Sequence, residues 1–225
     1  MTPLKIVVLG GTGFIGRHLV ARLAADGHAV TLLSRNLGPH YDRLLPPGVT
    51  LREVDVYDPD VLRAAFSGAD AVINLVGILN EAGDSGRGFR RAHVELTKLV
   101  IAAMQLAGTR RLLQMSSLNA GRGQSHYLKS RGEAEAAVKA SGLDWTIFEP
   151  SVIFGHGDGL FCRFAQLLKL APVLPLARAG CKFAPVYVGD VVEAMRRCLH
   201  HTVWHLHAKP RPPKDGLPSP NSHCC

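Results

Sequence analysis

Short runs rich in apolar and β-branched residues alternate along this chain with stretches whose apolar positions recur every three to four residues. The runs Leu4–Leu9, Ala29–Ser34, Val49–Val54, Ala71–Leu75, Arg111–Met115 and Asp144–Phe148 predict strands. Helical spacing predicts helices over Ile15–Ala25, Asp60–Phe66, Phe89–Ala107 and Ser130–Ser141. Strands apolar on both faces, each followed by a helix, predict an α/β fold: a doubly wound parallel sheet with right-handed crossovers. Such sheets take ligands beyond the carboxyl ends of their strands, where the strand order reverses. The residues that close each strand are therefore the informative ones.

The first strand closes Leu4-Lys-Ile-Val-Val-Leu-Gly-Gly-Thr-Gly-Phe-Ile-Gly, and a helical pattern follows at once. Gly10 allows the sharp turn, Gly13 leaves the backbone open to a pyrophosphate, and Gly16 lets helix and strand pack closely. With Gly11, Thr12, Phe14 and Ile15 between them, these residues predict a Rossmann-type dinucleotide site, the phosphates resting on a helix N-terminus. The second strand ends Ser34-Arg35-Asn36, without the Asp or Glu that usually takes the ribose hydroxyls of NAD. Arg35 can pair with a 2′-phosphate, which favours NADP(H) and leaves NAD(H) open; a solvated loop arginine is the alternative. Asp55-Val56 closes the third strand, where Asp55 suits an adenine amino group, a turn or the cap of the next helix. Leu75-Val76-Gly77 closes the fourth, with a small residue where backbone can lie against a cofactor.

Composition narrows the classes. At 225 residues and 47% hydrophobic content the chain is long enough for one sizeable core. No apolar run reaches the length of a membrane span, and the expectation is a chain without a secretion signal. Cys162, Cys181, Cys198, Cys224 and Cys225 follow no metal-ligand spacing and read as reduced thiols, so no metal is expected. The formal charge of +8 gathers arginines at Arg87, Arg90, Arg91, Arg110, Arg111 and Arg122. That surface suits anionic lipid or an acidic partner, or is simply solvated; nucleic acid is set aside because no binding module accompanies it.

Together GGTGFIG, Asp55-Val56, Leu75-Val-Gly77, Ser116-Ser117 and Tyr127 with a basic residue four positions on resemble the extended short-chain dehydrogenase/reductase superfamily. Gly77-Ile-Leu-Asn-Glu, Phe89, His93-Val-Glu, Met115-Ser-Ser-Leu, Tyr127-Leu-Lys-Ser-Arg-Gly-Glu and Glu149-Pro-Ser-Val-Ile-Phe-Gly resemble its atypical branch. That branch contains the NAD(P)H-binding accessory subunit of respiratory complex I and bacterial epimerase/dehydratase-like relatives. The resemblance implies that Gly10 to Gly16 hold the pyrophosphate, that Arg35 with Asn36 meets the adenosine phosphate and that Asp55 and Val56 frame the adenine. It further implies that Pro150, Val152 and Ile153 lie near the nicotinamide carboxamide.

Working members use a tyrosine for proton transfer, a lysine four residues on and a Ser or Thr that orients the substrate oxygen. Here the candidates are Tyr127, Arg131 and Ser117. Arginine supplies charge and a ribose contact, but its planar, permanently charged fork does not replace an ammonium in a proton relay. Alignment puts Leu118 at the hydroxyl position, and Ser117 fills it only through a shift of one residue. Catalysis is left open, and the expectation is a non-catalytic or weakly catalytic dinucleotide-binding protein, linked by the resemblance to a respiratory or quinone-related assembly. An NADP-dependent reductase, epimerase or dehydratase of a small carbonyl or sugar nucleotide is one alternative. A redox-sensing regulator is another. The expected place of action is the cytoplasm, or the inner face of a respiratory membrane as a peripheral partner of a protein complex.

Beyond Leu199 the composition changes. Residues 200–225 hold five of the eleven histidines, five of the fourteen prolines and two of the five cysteines. The resemblance implies further strands and helices after Val186-Tyr-Val-Gly-Asp, and nothing after His200 matches them. The expectation is one binding domain over 1–199 with its substrate portion cut short, and a tail over 200–225 that is out of frame or disordered. A metal site from the tail's histidines and cysteines is the remaining reading.

Overall fold

The computed structural model describes residues 2–36, 45–159 and 184–199. Six parallel strands form its centre: β1 (Lys5–Leu9), β2 (Ala29–Ser34), β3 (Val49–Glu53), β4 (Ala71–Asn74), β5 (Arg111–Met115) and β6 (Asp144–Phe148). Their order is β3-β2-β1-β4-β5-β6, so the winding reverses between β1 and β4. This is the doubly wound sheet expected of the sequence.

Alternation along β1 divides two cores. Ile6 and Val8 face the helices α1 (Phe14–Ala25) and α6 (Val188–Cys198), packing with Leu19, Leu23 and Met195. Val7 and Leu9 face the opposite layer, which is built by α2 (Pro59–Phe66), α4 (Leu96–Ala107) and α5 (His126–Lys139) and includes Leu62, Phe66, Val100 and Met104. Fully burying one such side chain stabilises by about 1.5–3 kcal/mol, so these layers, not helix propensity, hold the sheet.

Several boundaries depart from the apolar pattern because polar groups set them. The Ser125 hydroxyl caps α5 by accepting from Leu128 N at 3.3 Å, so the helix begins at His126 and not at Ser130. The Glu81 carboxylate accepts from the amides of Gly86 and Gly88, both at 2.6 Å, and starts a helical run at α3 (Arg87–Phe89) instead of Phe89. That run passes through a π-helical segment, Arg90–Glu95, before α4. Three elements were not foreseen: the parallel pair β7 (Ile153–Phe154) and β8 (Val186–Tyr187), and α6. Val188, Val191, Val192, Met195 and Cys198 give α6 a buried stripe against α1.

Arg111 also departs from the sequence reading. It is buried, with Nη1 donating to Asp144 Oδ1 at 3.2 Å and Nη2 donating to Thr146 Oγ1 at 2.8 Å and to the Cys198 carbonyl. It ties the end of α6 to the sheet and is not part of a basic surface. Burial lowers its pKa, opposed by the Asp144 carboxylate.

Candidate functional site

Strand register brings the sequence-derived residues to one edge. Leu9 pairs with Leu33 and with Asn74, Asn74 with Gln114, and Met115 with Phe148. The turns after β1, β2, β4, β5 and β6 therefore open on the same side, around the reversal between β1 and β4.

Each glycine of the first turn has a distinct physical reason. Gly10 has φ +75°, and a Cβ on it would meet the backbone of Leu75 and Val76 at 3.0 Å. A Cβ on Gly16 would lie 2.5 Å from the carbonyl oxygens of Gly10 and Gly11, so helix and turn touch only because it is absent. Gly11 is buried, and its Cβ would press on Leu32. Gly13 differs: it is exposed, and its Cβ would meet only Gly10 O at 3.3 Å. Packing gives little reason for glycine there, whereas a ligand lying against the backbone does. Thr12 completes the turn, and Gly13 is the N-cap of α1 with no side-chain cap and no acidic residue in the first turn. The amide donors at Phe14 and Ile15 and the positive end of the helix dipole thus meet no carboxylate from the first turn of α1. These residues fit a dinucleotide phosphate.

At the end of β2, Ser34 Oγ bonds the backbone of Asn36, while Arg35 is exposed and has no ion-pair partner among the described residues. Asp55 is exposed and forms a turn, its Oδ1 accepting from Tyr57 N at 2.9 Å. The cap of α2 is Asp58, which accepts from Asp60 N and Val61 N. Val56 is buried beneath. Leu75 N donates to Leu9 O, and Val76 N donates to the side-chain carbonyl of buried Asn74. Asn74 Nδ2 in turn donates to Gln114 Oε1 at 3.0 Å, so the floor under the fourth turn is a satisfied polar network.

The catalytic candidates gather at the start of α5. Tyr127 is half-buried, its ring edge-on to Phe89 and His93 at centroid distances of 5.9 and 5.5 Å, and its hydroxyl has no partner among the described residues. Arg131 is buried under that ring, 5.5 Å from its centroid. Its Nη1 donates to Met115 O at 3.0 Å, Nε has no partner among the described residues, and a Cβ on Gly77 would fall on the guanidinium. The Ser117 hydroxyl is buried without a partner among the described residues, while Leu118 is 47% exposed and anchored through Leu118 N to Pro150 O at 2.8 Å. Val152 O accepts from Val186 N, and Ile153 pairs with Val186.

One site residue escaped sequence reasoning. His93 is buried in the π-helical segment, where Nε2 accepts from Ile78 N at 3.2 Å and Nδ1 lies 2.8 Å from Ser130 Oγ. Since Ile78 N–H can only donate, Nδ1 carries the proton, and Ser130 passes the chain on by donating to Tyr127 O at 2.8 Å. Burial, helped by the Arg131 charge, lowers the His93 pKa to about 3, so the ring is neutral. The sequence shows it inside the His93-Val-Glu stretch of the resemblance, but that resemblance attaches no site role to it.

Among the described residues no three His, Cys, Asp or Glu side chains are grouped to hold a metal, and no helix is long and apolar enough to cross a membrane. The histidine- and cysteine-bearing tail lies outside the described residues.

Residues 10–159 match the model of a family described as NAD(P)H-binding. The chain is 32% identical over 205 residues to the Arabidopsis thaliana protein named NADH dehydrogenase [ubiquinone] 1 alpha subcomplex subunit 9, mitochondrial, with 88% of this chain and 51% of that protein aligned. It is 30% identical to a ceramide reductase of Caulobacter vibrioides, covering 82% of this chain and 57% of the reductase. The chain thus spans about half the length of the curated relatives it matches. The solved structure of MoeE5 in complex with UDP-glucuronic acid and NAD superposes with a TM-score of 0.73 at 23% identity, covering 88% of this chain and 72% of MoeE5, which is a likeness of fold.

Proposed function

The chain belongs to the NAD(P)H-binding family, and from that premise we propose that it binds NADP(H) in preference to NAD(H) and performs little or no chemistry on it. The observation that carries the binding site is Gly13, an exposed glycine that packing does not require, at the uncapped N-terminus of α1. Gly10, Gly11, Thr12, Gly13 and Gly16 with the Phe14 and Ile15 amides would hold the pyrophosphate. Arg35 and Asn36 would take the 2′-phosphate, and Asp55 and Val56 would border the adenine. Leu75, Val76 and Gly77 would lie along the cofactor, with Pro150, Val152 and Ile153 at the nicotinamide end. Such a cofactor supplies a hydride at the nicotinamide when bound.

For the chemistry, Tyr127, Arg131 and Ser117 are the groups available. Arg131 would keep the Tyr127 ring in place from below, but its Nη1 is engaged by Met115 O and it offers no proton to move. Exposed Leu118 orients no substrate oxygen. The nucleotide then acts as a structural or redox-reporting ligand. The relatives named as NADH dehydrogenase subunits support a role as a peripheral component of a respiratory assembly. A second reading, an NADP-dependent reductase, is favoured by the unpartnered Tyr127 hydroxyl and by the ceramide reductase relative.

Calorimetric titration with NADPH and NADH, then cofactor oxidation over a panel of aldehydes, ketones and sugar nucleotides, tests both halves. Absence of binding removes the proposal, and brisk turnover abolished by Tyr127→Phe replaces it with the reductase.

A further inference from the structure

Where the helical run from Arg87 crosses the first turns of α5, a cavity of 180 Å³ opens, lined among others by Arg87, Arg90, Lys129, Ser130 and Glu133. We propose that it is an anion site for a phosphate monoester, separate from the dinucleotide crevice and independent of which cofactor that crevice prefers.

Charge is the first argument. Among the lining side chains, Arg87, Arg90 and Lys129 set three cations against the carboxylate of Glu133, with His126 beside them and Glu81 held behind the wall by Gly86 N, an excess of positive charge that suits a phosphate monoester dianion. Geometry is the second. Arg87 and Arg90 stand one helical turn apart, and Lys129 and Glu133 one turn apart on the helix opposite, so all four face the same space. Glu133 Oε2 holds Arg90 Nη1 at 2.7 Å, and Ser85 Oγ holds Arg87 Nε at 3.3 Å, which steadies both forks while leaving the remaining Nη donors available. Lys129 is exposed with no ion-pair partner among the described residues. Size is the third. Whole-ligand pockets run about 300–1,000 Å³, so this cavity accepts a head group and not a dinucleotide.

At its inner wall is Ser130, buried, whose hydroxyl joins the His93 ring to the Tyr127 carbonyl. The cavity thus meets the catalytic candidates through Ser130, while Tyr127, Arg131 and Ser117 are not in its lining. This also gives part of the arginine excess a place: Arg87 and Arg90 are at the cavity, whereas Arg91 lies over the Tyr57 ring and Arg111 is interior.

The phosphate can belong to a soluble phosphorylated molecule or to a phosphatidate head group, and the test separates them. One arm titrates the full chain with glycerol 1-phosphate, following amide NMR shifts. The other sediments it with phosphatidylcholine vesicles containing phosphatidic acid, or phosphatidylglycerol at equal charge as the phosphodiester control. Wild type should bind one of the monoester probes, with shifts at Arg87, Lys129 and Ser130, and Arg87→Gln/Lys129→Gln should weaken that binding at least tenfold. Arg110→Gln, an exposed arginine outside the cavity lining, should not. NADPH affinity, read separately, should be the same in all three chains, so a failed cofactor reading is distinguishable from a failed anion site. Binding to neither monoester probe, equal binding to phosphatidylglycerol vesicles, equal loss in Arg110→Gln, or shifts confined to Gly10–Gly16 would overturn the proposal.

Discussion

The turn between β1 and α1 and the corner where α5 meets the end of β5 lie on the same sheet edge and are built in opposite ways. In the turn, backbone contacts explain Gly10 and Gly16, side-chain packing explains Gly11, and what remains unexplained, open Gly13 and the uncapped helix end, is what a phosphate needs. In the corner, the groups are directed inward: Arg131 donates to Met115 O, Ser130 to Tyr127 O, and His93 accepts from Ile78 N. The comparison teaches that binding geometry and proton-transfer geometry separate within one site. The first needs absent side chains, which mutation cannot easily misplace. The second needs several side chains placed at once, and here the long side chain of Arg131 is turned toward the Met115 carbonyl.

The largest effect should come from rebuilding the corner. Wild-type turnover is expected to be slow or absent, and Arg131→Lys alone should not rescue it, because exposed Leu118, at the position that the resemblance gives to the orienting hydroxyl, would still offer the substrate oxygen no partner. Adding Leu118→Ser to Arg131→Lys should raise cofactor oxidation by about 10²-fold or more, the scale of restoring a proton-transfer arrangement with its orienting hydroxyl. If Arg131→Lys alone restores turnover, the hydroxyl position is not the deficit and Ser117 already serves it.

Gly13→Val sharpens the other side of the comparison. Its branched side chain meets little protein but fills the phosphate's approach, so dinucleotide affinity should fall by roughly 100-fold, about 2.7 kcal/mol, with the circular dichroism spectrum unchanged. Gly16→Ala should instead lose about 1–3 kcal/mol of stability in urea, since its methyl meets two carbonyl oxygens. Similar phenotypes from the two variants would erase the distinction between ligand-driven and packing-driven glycines.

The same contrast governs what could be read in advance. The sheet and its dinucleotide turn were legible because strand periodicity and glycine spacing are local properties. The start of α5 was not, because Ser125 and not an apolar residue sets it. Neither was α6, whose stripe has meaning only once α1 is in place to cover it. In the corner, the residue types Tyr127 and Arg131 were visible, but the direction of the Arg131 side chain depends on a carbonyl sixteen residues away, at Met115. His93 required the π-helical segment to turn it inward.

His93 gives a pH test of the corner. Its folded pKa of about 3 lies below the ordinary 6.5, so between those values the unfolded chain binds a proton that the folded chain does not. Its contribution is complete above pH 6.5 and is lost as pH falls toward 3. Lowering pH from 7.5 to 5 should remove about 2 kcal/mol of stability through this residue. His93→Asn, which retains an acceptor for Ile78 N, should flatten that part of the pH dependence in urea titrations. An unchanged slope would mean that the ring is protonated, or exposed to water, in the folded chain.

The smallest expected effect concerns the far end of the crevice. Arg35 is exposed at the end of β2 and has no ion-pair partner among the described residues to hold it in place. A charge-assisted contact from such a side chain is weakened by solvent and by side-chain ordering, so NADPH should be favoured over NADH by only about tenfold. Arg35→Ala should bring NADPH down to the NADH value and leave NADH where it is, because the unphosphorylated ribose gains nothing from the guanidinium. Raising ionic strength should narrow the gap in wild type and do nothing in the variant, since an exposed pair is screened over about 8–10 Å. Equal affinities in wild type would return Arg35 to the solvent and leave binding to the turn at Gly13, which meets the pyrophosphate common to both nucleotides.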